Sequence, residues 1–205
     1  MSDVTIYGAP LSTYVRSCCM ACIEKGVGYD LEPFAPQSPE IQALNPTGQV
    51  PAFKHGDLLL QESSAICRYI DEAFPGEKLQ PDDIKTRALM NLWMSVTADR
   101  DYQTMIRDVI LPRFGIIEKS DAEIAEAAKV LDKQLKRIDD TLSERAYLAG
   151  DKLTLADLFL VPILFWLKMT PEGQASLPAY GSLDRWYEGM AERESFKQTV
   201  PPMPG

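Results

Sequence analysis

The chain has 205 residues, 45% hydrophobic and 25% charged, the composition of a globular protein with a core rather than of a disordered or fibrous one. Thirty acidic residues against 21 basic ones give a formal net charge of −9, which argues against a nucleic-acid backbone or an anionic membrane as the main partner. No apolar run approaches the length of about 20 residues that spans a bilayer, and Met1-Ser2-Asp3 leads straight into a strand-like run without a secretory leader, so a cytoplasmic protein is expected.

Val4 to Tyr7 is β-branched and aromatic and is closed by Gly8-Ala9-Pro10, which predicts a strand and a turn. Ser12 to Lys25 follows a helical pattern, with Gly26 as its stop. Tyr29 to Glu32 alternates and reads as a second strand. After a loop rich in Pro, Gln and Ser, Ile41 to Leu44 allows one helical turn. Pro51 to Lys54 and Leu58 to Gln61 flank His55-Gly56-Asp57, the composition of a tight hairpin, and place the single histidine, His55, in an exposed turn. Ser63 to Ala73 is helical again, with Ala65, Ile66, Tyr69 and Ile70 at core spacing. The order βαβ, α, ββα predicts an α/β unit on a mixed sheet over residues 1–75.

Phe74 to Pro81 breaks the pattern, and residues 76–83 read as a linker to an all-helical domain over 84–205. Ile84 to Ile110 reads as one long helix. Ile124, Leu131, Leu135, Ile138 and Leu142 stripe a second. Leu155 to Lys168 is apolar nearly all round and predicts a buried central helix, begun by Thr154 as N-cap with Asp157 in the capping-box position.

Ser12 falls between the first strand and the first helix. A hydroxyl there can serve as a simple N-cap, or it can donate to a thiolate that the helix N-terminus also stabilises. Asn45-Pro46-Thr47-Gly48-Gln49-Val50-Pro51 puts a proline at the mouth of a strand, and a cis Val50-Pro51 bond there would turn the Val50 amide and carbonyl toward an added extended peptide. Glu62 and Ser63 open the next helix with a carboxylate for an ammonium group, and a hydroxyl and N–H for a carboxylate. Together these groups complement a small peptide with an α-amino acid head at one end.

With those residues in order, the chain resembles the glutathione transferases over nearly all its length. Ser12 after strand one, the NPxGQVP loop and Glu62-Ser63-x-Ala65-Ile66 are similar to the serine-type branch, nearest the plant phi class and its bacterial relatives. The resemblance implies a thioredoxin-like N-terminal domain (βαβαββα) and an all-α C-terminal domain. It further implies that Ser12 activates the thiol of glutathione, a co-substrate, for attack on an electrophilic, mostly apolar partner. Val50, flanked by Gln49 and Pro51, would pair with the cysteinyl backbone, and Glu62 and Ser63 would hold the γ-glutamyl group. Where phi-class sequences carry His-Lys before that loop, this chain has Pro36-Gln37-Ser38, leaving Gln37 or Lys54 as donors to the glycyl carboxylate. Leu11, Phe34, Met105 and Phe165 are the expected lining of the apolar substrate pocket. A homodimer is implied, and no metal. A glutathione-dependent isomerase or peroxidase, or a non-catalytic glutathione carrier, would share the peptide site.

Cys19-Met20-Ala21-Cys22 spells a C-x-x-C, which in a βαβ setting suggests a redox pair. Its position argues otherwise, because the attacking cysteine of such a pair stands at the helix N-terminus, the place held here by Ser12 and Thr13. Of the four cysteines (Cys18, Cys19, Cys22 and Cys67), three lie too close together for a secreted disulfide framework, which fits a reducing compartment, and Cys19 and Cys22 read as small buried hydrophobes.

Overall fold

The structure, a computed structural model, describes residues 3–202. The chain divides into two compact units, one built from residues up to Gln80 together with those from Glu192 onward, the other from Pro81–Ala191. The expected helical domain therefore ends earlier than its sequence pattern indicated. The last stretch turns back to the first unit, for a reason visible in its side chains. Arg16 in the first helix is buried, its guanidinium donating from Nε to Thr199 Oγ1 (3.2 Å) and from Nη2 to the Phe196 carbonyl (3.3 Å) and lying over the Phe196 ring. Glu24 at the same helix's end receives Arg193 Nη2 at 2.6 Å and the Ser195 hydroxyl.

In the first unit, β1 (Val4–Tyr7), β2 (Asp30–Glu32), β3 (Ala52–His55) and β4 (Leu58–Gln61) form one sheet in the order β2-β1-β3-β4. β1 runs parallel to β2 and antiparallel to β3, and β3 is antiparallel to β4, as the βαβ and ββα order requires. Its helices are α1 (Thr13–Glu24), α2 (Pro39–Leu44), α3 (Ser63–Ala73) and, after the second unit, a short one at Glu194–Gln198. Phe53, without accessible surface, meets Tyr69 of α3 edge-on at 5.8 Å. Two residues along the same strand face, His55 bonds the Tyr69 hydroxyl through Nδ1 at 2.7 Å and lies 4.9 Å from the Phe74 ring. The histidine is thus the last residue of β3 and a tie to α3, not an exposed turn residue; the turn itself is Gly56-Asp57. On the other face Tyr7 stacks on Phe34 at 5.9 Å, and the Gln61 amide donates to Leu44 O at the end of α2.

The connecting segment after α3 is held by a buried ion pair. Lys25 Nζ lies 3.1 Å from Asp71 Oδ1, with side chains 1% and 3% exposed. The ammonium also donates to Gly76 O and Glu77 O, while the carboxylate accepts the amides of Leu79 (2.8 Å) and Gln80 (3.0 Å).

The second unit contains α4 (Ile84–Val96), a wider π-type helical stretch (Thr97–Ile110), α5 (Leu111–Arg113), α6 (Asp121–Glu144), α7 (Leu155–Leu167), α8 (Pro171–Ser176), a 3₁₀ turn (Leu177–Ala179) and α9 (Gly181–Ala191). The helix of Glu194–Gln198 is α10. The expected long helix is continuous from Ile84, but its second half changes hydrogen-bond register, which a pattern of apolar spacings does not reveal. Every residue of α7 is buried, as an all-round apolar helix must be. The Asp157 carboxylate accepts from Thr154 N and Thr154 Oγ1 (2.9 Å each), Leu148 N (3.0 Å) and Trp186 Nε1 (3.1 Å), so the short-armed capping box also fastens α9 to α7. No helix among the described residues is long and apolar enough to cross a membrane.

Candidate active site

Sheet register decides where the candidate residues come together. Tyr7 lies opposite Glu32 in β2 and Ala52 in β3, and Ala52 lies opposite Gln61 in β4. The segments that follow β1, β2 and β4, and the one that precedes β3, therefore leave the sheet at a single end. Ser12, Gln37, Val50, Glu62 and Ser63 all lie on those four segments.

The turn between β1 and α1 depends on Gly8, at φ +148°, where an added Cβ would come within 2.5 Å of Val15 Cγ2 and 2.9 Å of Val50 Cβ. A residue with a side chain would push Val50 away from α1. Ser12 caps α1, its half-buried Oγ accepting the Val15 amide at 3.4 Å. That is a long bond, and the hydroxyl proton goes to no described residue. The first turn of α1 contains no acidic side chain, so no built-in carboxylate occupies the positive end of the helix. An anion placed there would meet the start of a helix and a hydroxyl.

Asn45 organises the loop that carries Val50. Its amide donates to Gln49 O at 2.9 Å, its Oδ1 accepts from Thr47 Oγ1 at 2.9 Å, and its carbonyl accepts the Gly48 amide. Asn45 is 4% exposed, and sequence reasoning assigned it no part beyond opening the motif. The Val50-Pro51 peptide is cis. Neither the N–H nor the C=O of Val50 bonds another described residue, so this short edge is open to an extended chain. Gln49 is exposed and Pro51 is buried.

Glu62 precedes α3 with φ 67°, and its exposed carboxylate has no partner among the described residues. Its carbonyl accepts the Ala65 and Ile66 amides. No side chain caps the first turn of α3, so Ser63 stands at an uncapped helix start. Gln37, at φ 64°, is the other non-glycine residue with positive φ among the described residues. Such a backbone costs about 1–3 kcal/mol and is kept where the surroundings impose it, commonly at binding sites. For Gln37 the cause is visible: its N–H donates to Gly48 O (2.8 Å) and its side-chain amide to Thr47 O (3.0 Å). A Cβ on Gly48 would lie 2.4 Å from Gln37 Oε1.

The remaining candidates are more scattered. Lys54 is exposed on β3, opposite Thr5 and Leu59 and two residues inside the row that marks the site. Leu11 is 48% exposed beside Ser12, and Phe34 is half-buried against Tyr7. Met105 and Phe165 belong to the second unit, where Met105 has no accessible surface and Phe165 only 8%. Both are core side chains of that unit, and Met105 has nothing with which to touch a ligand.

All four cysteines are free and buried. Cys18 Sγ lies 4.0 Å from Ser63 O and 3.7 Å from Cys67 Sγ. Burial pushes the Cys18 thiol well above its ordinary range and raises Cys19 to about 12, partly offset by a bond with Tyr29. Burial raises Cys22 as well. Cys18, Cys19 and Cys22 are therefore not nucleophiles at neutral pH and Cys67 is buried, so the site has hydroxyl, carboxylate and open backbone but no exposed thiol of its own. Among the described residues no three His, Cys, Asp or Glu side chains are grouped to hold a metal.

Comparison with known proteins accords with this geometry. The family model for the glutathione S-transferase N-terminal domain matches residues 6–78, and that for the C-terminal domain matches residues 102–194. Glutathione S-transferase 1 of Zea mays is 33% identical over 98% of this chain and 97% of its own length. The chain belongs to the glutathione S-transferase family. The crystal structure of glutathione transferase F7 from Populus trichocarpa superposes with a TM-score of 0.84 at 30% identity, covering 96% of this chain and 97% of that one. Glutathione S-transferase I from mais in complex with an atrazine glutathione conjugate superposes with the same TM-score at 31% identity, over 96% and 95% of the two chains. The thioredoxin-like unit with its mixed four-stranded sheet and the helical unit are those of this family.

Proposed function

We propose that this transferase activates the thiol of glutathione at Ser12 and directs it against an electrophilic, mostly apolar second substrate. The observation that carries the reading is the meeting, at one sheet end, of a helix-capping hydroxyl, the open backbone of Val50 and the unpartnered Glu62 beside Ser63. Glutathione matches these in turn. Its thiolate takes the Ser12 O–H and the first amides of α1, and its cysteinyl backbone pairs with Val50, held in place by Gln49 and Pro51. Its γ-glutamyl ammonium meets Glu62, and its α-carboxylate meets the Ser63 hydroxyl and the start of α3. The helix dipole and hydroxyl lower the thiol's pKa, and conjugation then needs only that the electrophile approach the sulfur. Exposed Leu11 and half-buried Phe34 offer that electrophile apolar surface on the first unit.

The net charge of −9 and the buried, reduced cysteines support a cytoplasmic enzyme that acts on small molecules in detoxification. Ile84 and Leu92, 77% and 55% exposed on α4, support a homodimer. Ser12→Ala tests the mechanism. Loss of one donor to the reacting sulfur should lower kcat toward an activated aryl halide by about a hundredfold. Retention on immobilised glutathione should persist, because the peptide contacts remain. Unchanged turnover in that variant would reduce Ser12 to a helix cap.

A further inference from the structure

The site is built to hold a peptide that carries negative charge, yet the segments that form it contain no cation. From Gly26 to Phe53 the chain has no Lys, Arg or His but contains Asp30, Glu32 and Glu40, and the segment after β4 adds Glu62. Arg16 and Lys25 are buried, committed to the C-terminal segment and to Asp71. His55 pairs with Val4 at the far end of β3 and is bonded to Tyr69. Along the strand the nearest cation is Lys54, two residues (about 7 Å) inside the row at which the site begins. Gln37, the side chain in the loop after β2 that could reach a ligand carboxylate, already donates its amide to Thr47 O and accepts from Gln42. It is pinned to the Thr47-Gly48 turn rather than extended toward the open end.

We infer that this enzyme reads its thiol peptide at the γ-glutamyl and cysteinyl positions and not at the C-terminal carboxylate. It thereby accepts γ-glutamyl-cysteinyl thiols with a neutral C-terminus as readily as glutathione. The inference rests on the proposed peptide site. Its physical basis is a balance of charges. A cation paired with the glycyl carboxylate would favour the free acid over a neutral analogue by about ten- to a hundredfold. Without that pair, the carboxylate meets only amides and water at a sheet end whose strand-end charge is that of Glu32, opposite Tyr7. Removing its charge costs nothing in attraction and relieves some repulsion.

The test compares kcat/KM for glutathione, for γ-glutamyl-cysteinyl-glycinamide and for cysteinylglycine, with one aryl halide at one pH. The expected result is that the first two agree within about threefold while cysteinylglycine, which lacks the γ-glutamyl head, falls by more than tenfold. A preference above tenfold for glutathione over its amide would overturn the inference and leave the peptide site standing; loss of that preference in Lys54→Ala would then assign the carboxylate to Lys54. Equal rates for all three thiols would overturn the peptide site and the inference with it. Salt gives an independent reading. Glutathione and its glycinamide present the same γ-glutamyl ammonium to Glu62. The KM of glutathione relative to that of the amide should therefore hold steady or fall as sodium chloride is raised from low to physiological strength, whereas a several-fold rise in that ratio would reveal a screened cation–carboxylate pair and refute the inference.

Discussion

Replacing Asp71 by alanine should release the segment between the units' sequences and cost a large part of the protein's stability. The carboxylate is 3% exposed and accepts four contacts: Lys25 Nζ at 3.1 Å, the amides of Leu79 and Gln80 at 2.8 and 3.0 Å, and the Gln80 side chain at 3.3 Å. Its loss leaves Lys25 charged and buried with two backbone carbonyls, at 3.4 and 3.1 Å, as its remaining acceptors. Breaking a buried pair from one side costs about 3–5 kcal/mol, roughly a fifth or more of a typical domain's stability. Lys25→Met alone should cost a comparable amount, since Asp71 keeps its backbone donors but loses its counter-charge. The double variant Lys25→Met, Asp71→Leu should recover part of the loss, because neither member then leaves an unpaired charge. Urea titration monitored by circular dichroism gives the three free energies, and hydrogen exchange at the Leu79 and Gln80 amides reports the local release. If the single variants each lost under about 1 kcal/mol and added linearly in the double, the pair would be an ordinary surface-like contact and this reasoning would fail.

Three further outcomes follow from the geometry. Burial raises the Glu24 carboxylate, but Arg193 and the Ser195 hydroxyl outweigh it and hold it below its ordinary 4.5. Its stabilisation should be fully present above that value and lost as pH falls through the lower folded-state value; in Glu24→Gln this acid-dependent component should be missing from stability measured across pH 3–6. Gly173→Ala puts a Cβ 1.9 Å from the Leu167 carbonyl, so α8 must move off α7. A loss of about 2 kcal/mol or more, seen as a lower Tm, is expected, and an unchanged Tm would contradict the close approach. Cys18, Cys19 and Cys22, buried and with raised thiol pKa values, should react with iodoacetamide at pH 8 only after unfolding. Rapid labelling of the native protein, located by mass spectrometry, would contradict their burial.

The elements of the first unit were largely legible, because period-two runs and glycine stops sit beside one another with little overlap. Ser12, the NPxGQVP loop and Glu62-Ser63 were legible as well, since turn chemistry and helix starts are local. What the sequence withheld depends on distant partners. The tie between His55 and Tyr69 joins a strand to a helix fourteen positions on, and nothing around His55 announces it. The return of the segment after Glu192 had one visible signal, an arginine at position 16 in a mostly apolar helix, whose partners lie 180 and 183 positions away. Gln37 was expected to reach the glycyl carboxylate because it stands where phi-class sequences carry His-Lys. Its bonds to the Thr47-Gly48 turn depend on a positive φ that composition does not encode. The π register of Thr97–Ile110 preserves the spacing of buried Thr104, Met105 and Val109, so it is invisible to a helical pattern.

The discontinuity of the first unit has a consequence in time. A ribosome delivers β1, α1 and the rest of the sheet early, then more than a hundred residues that form a compact body of their own. Only after that do Arg193, Ser195, Phe196 and Thr199 emerge to meet Glu24 and Arg16. Throughout the synthesis of the helical unit, the back of the helix whose front end carries Ser12 waits for its last covering. A nascent chain halted at Ala191 would hold every residue of the proposed site and still lack the piece that seats its first helix.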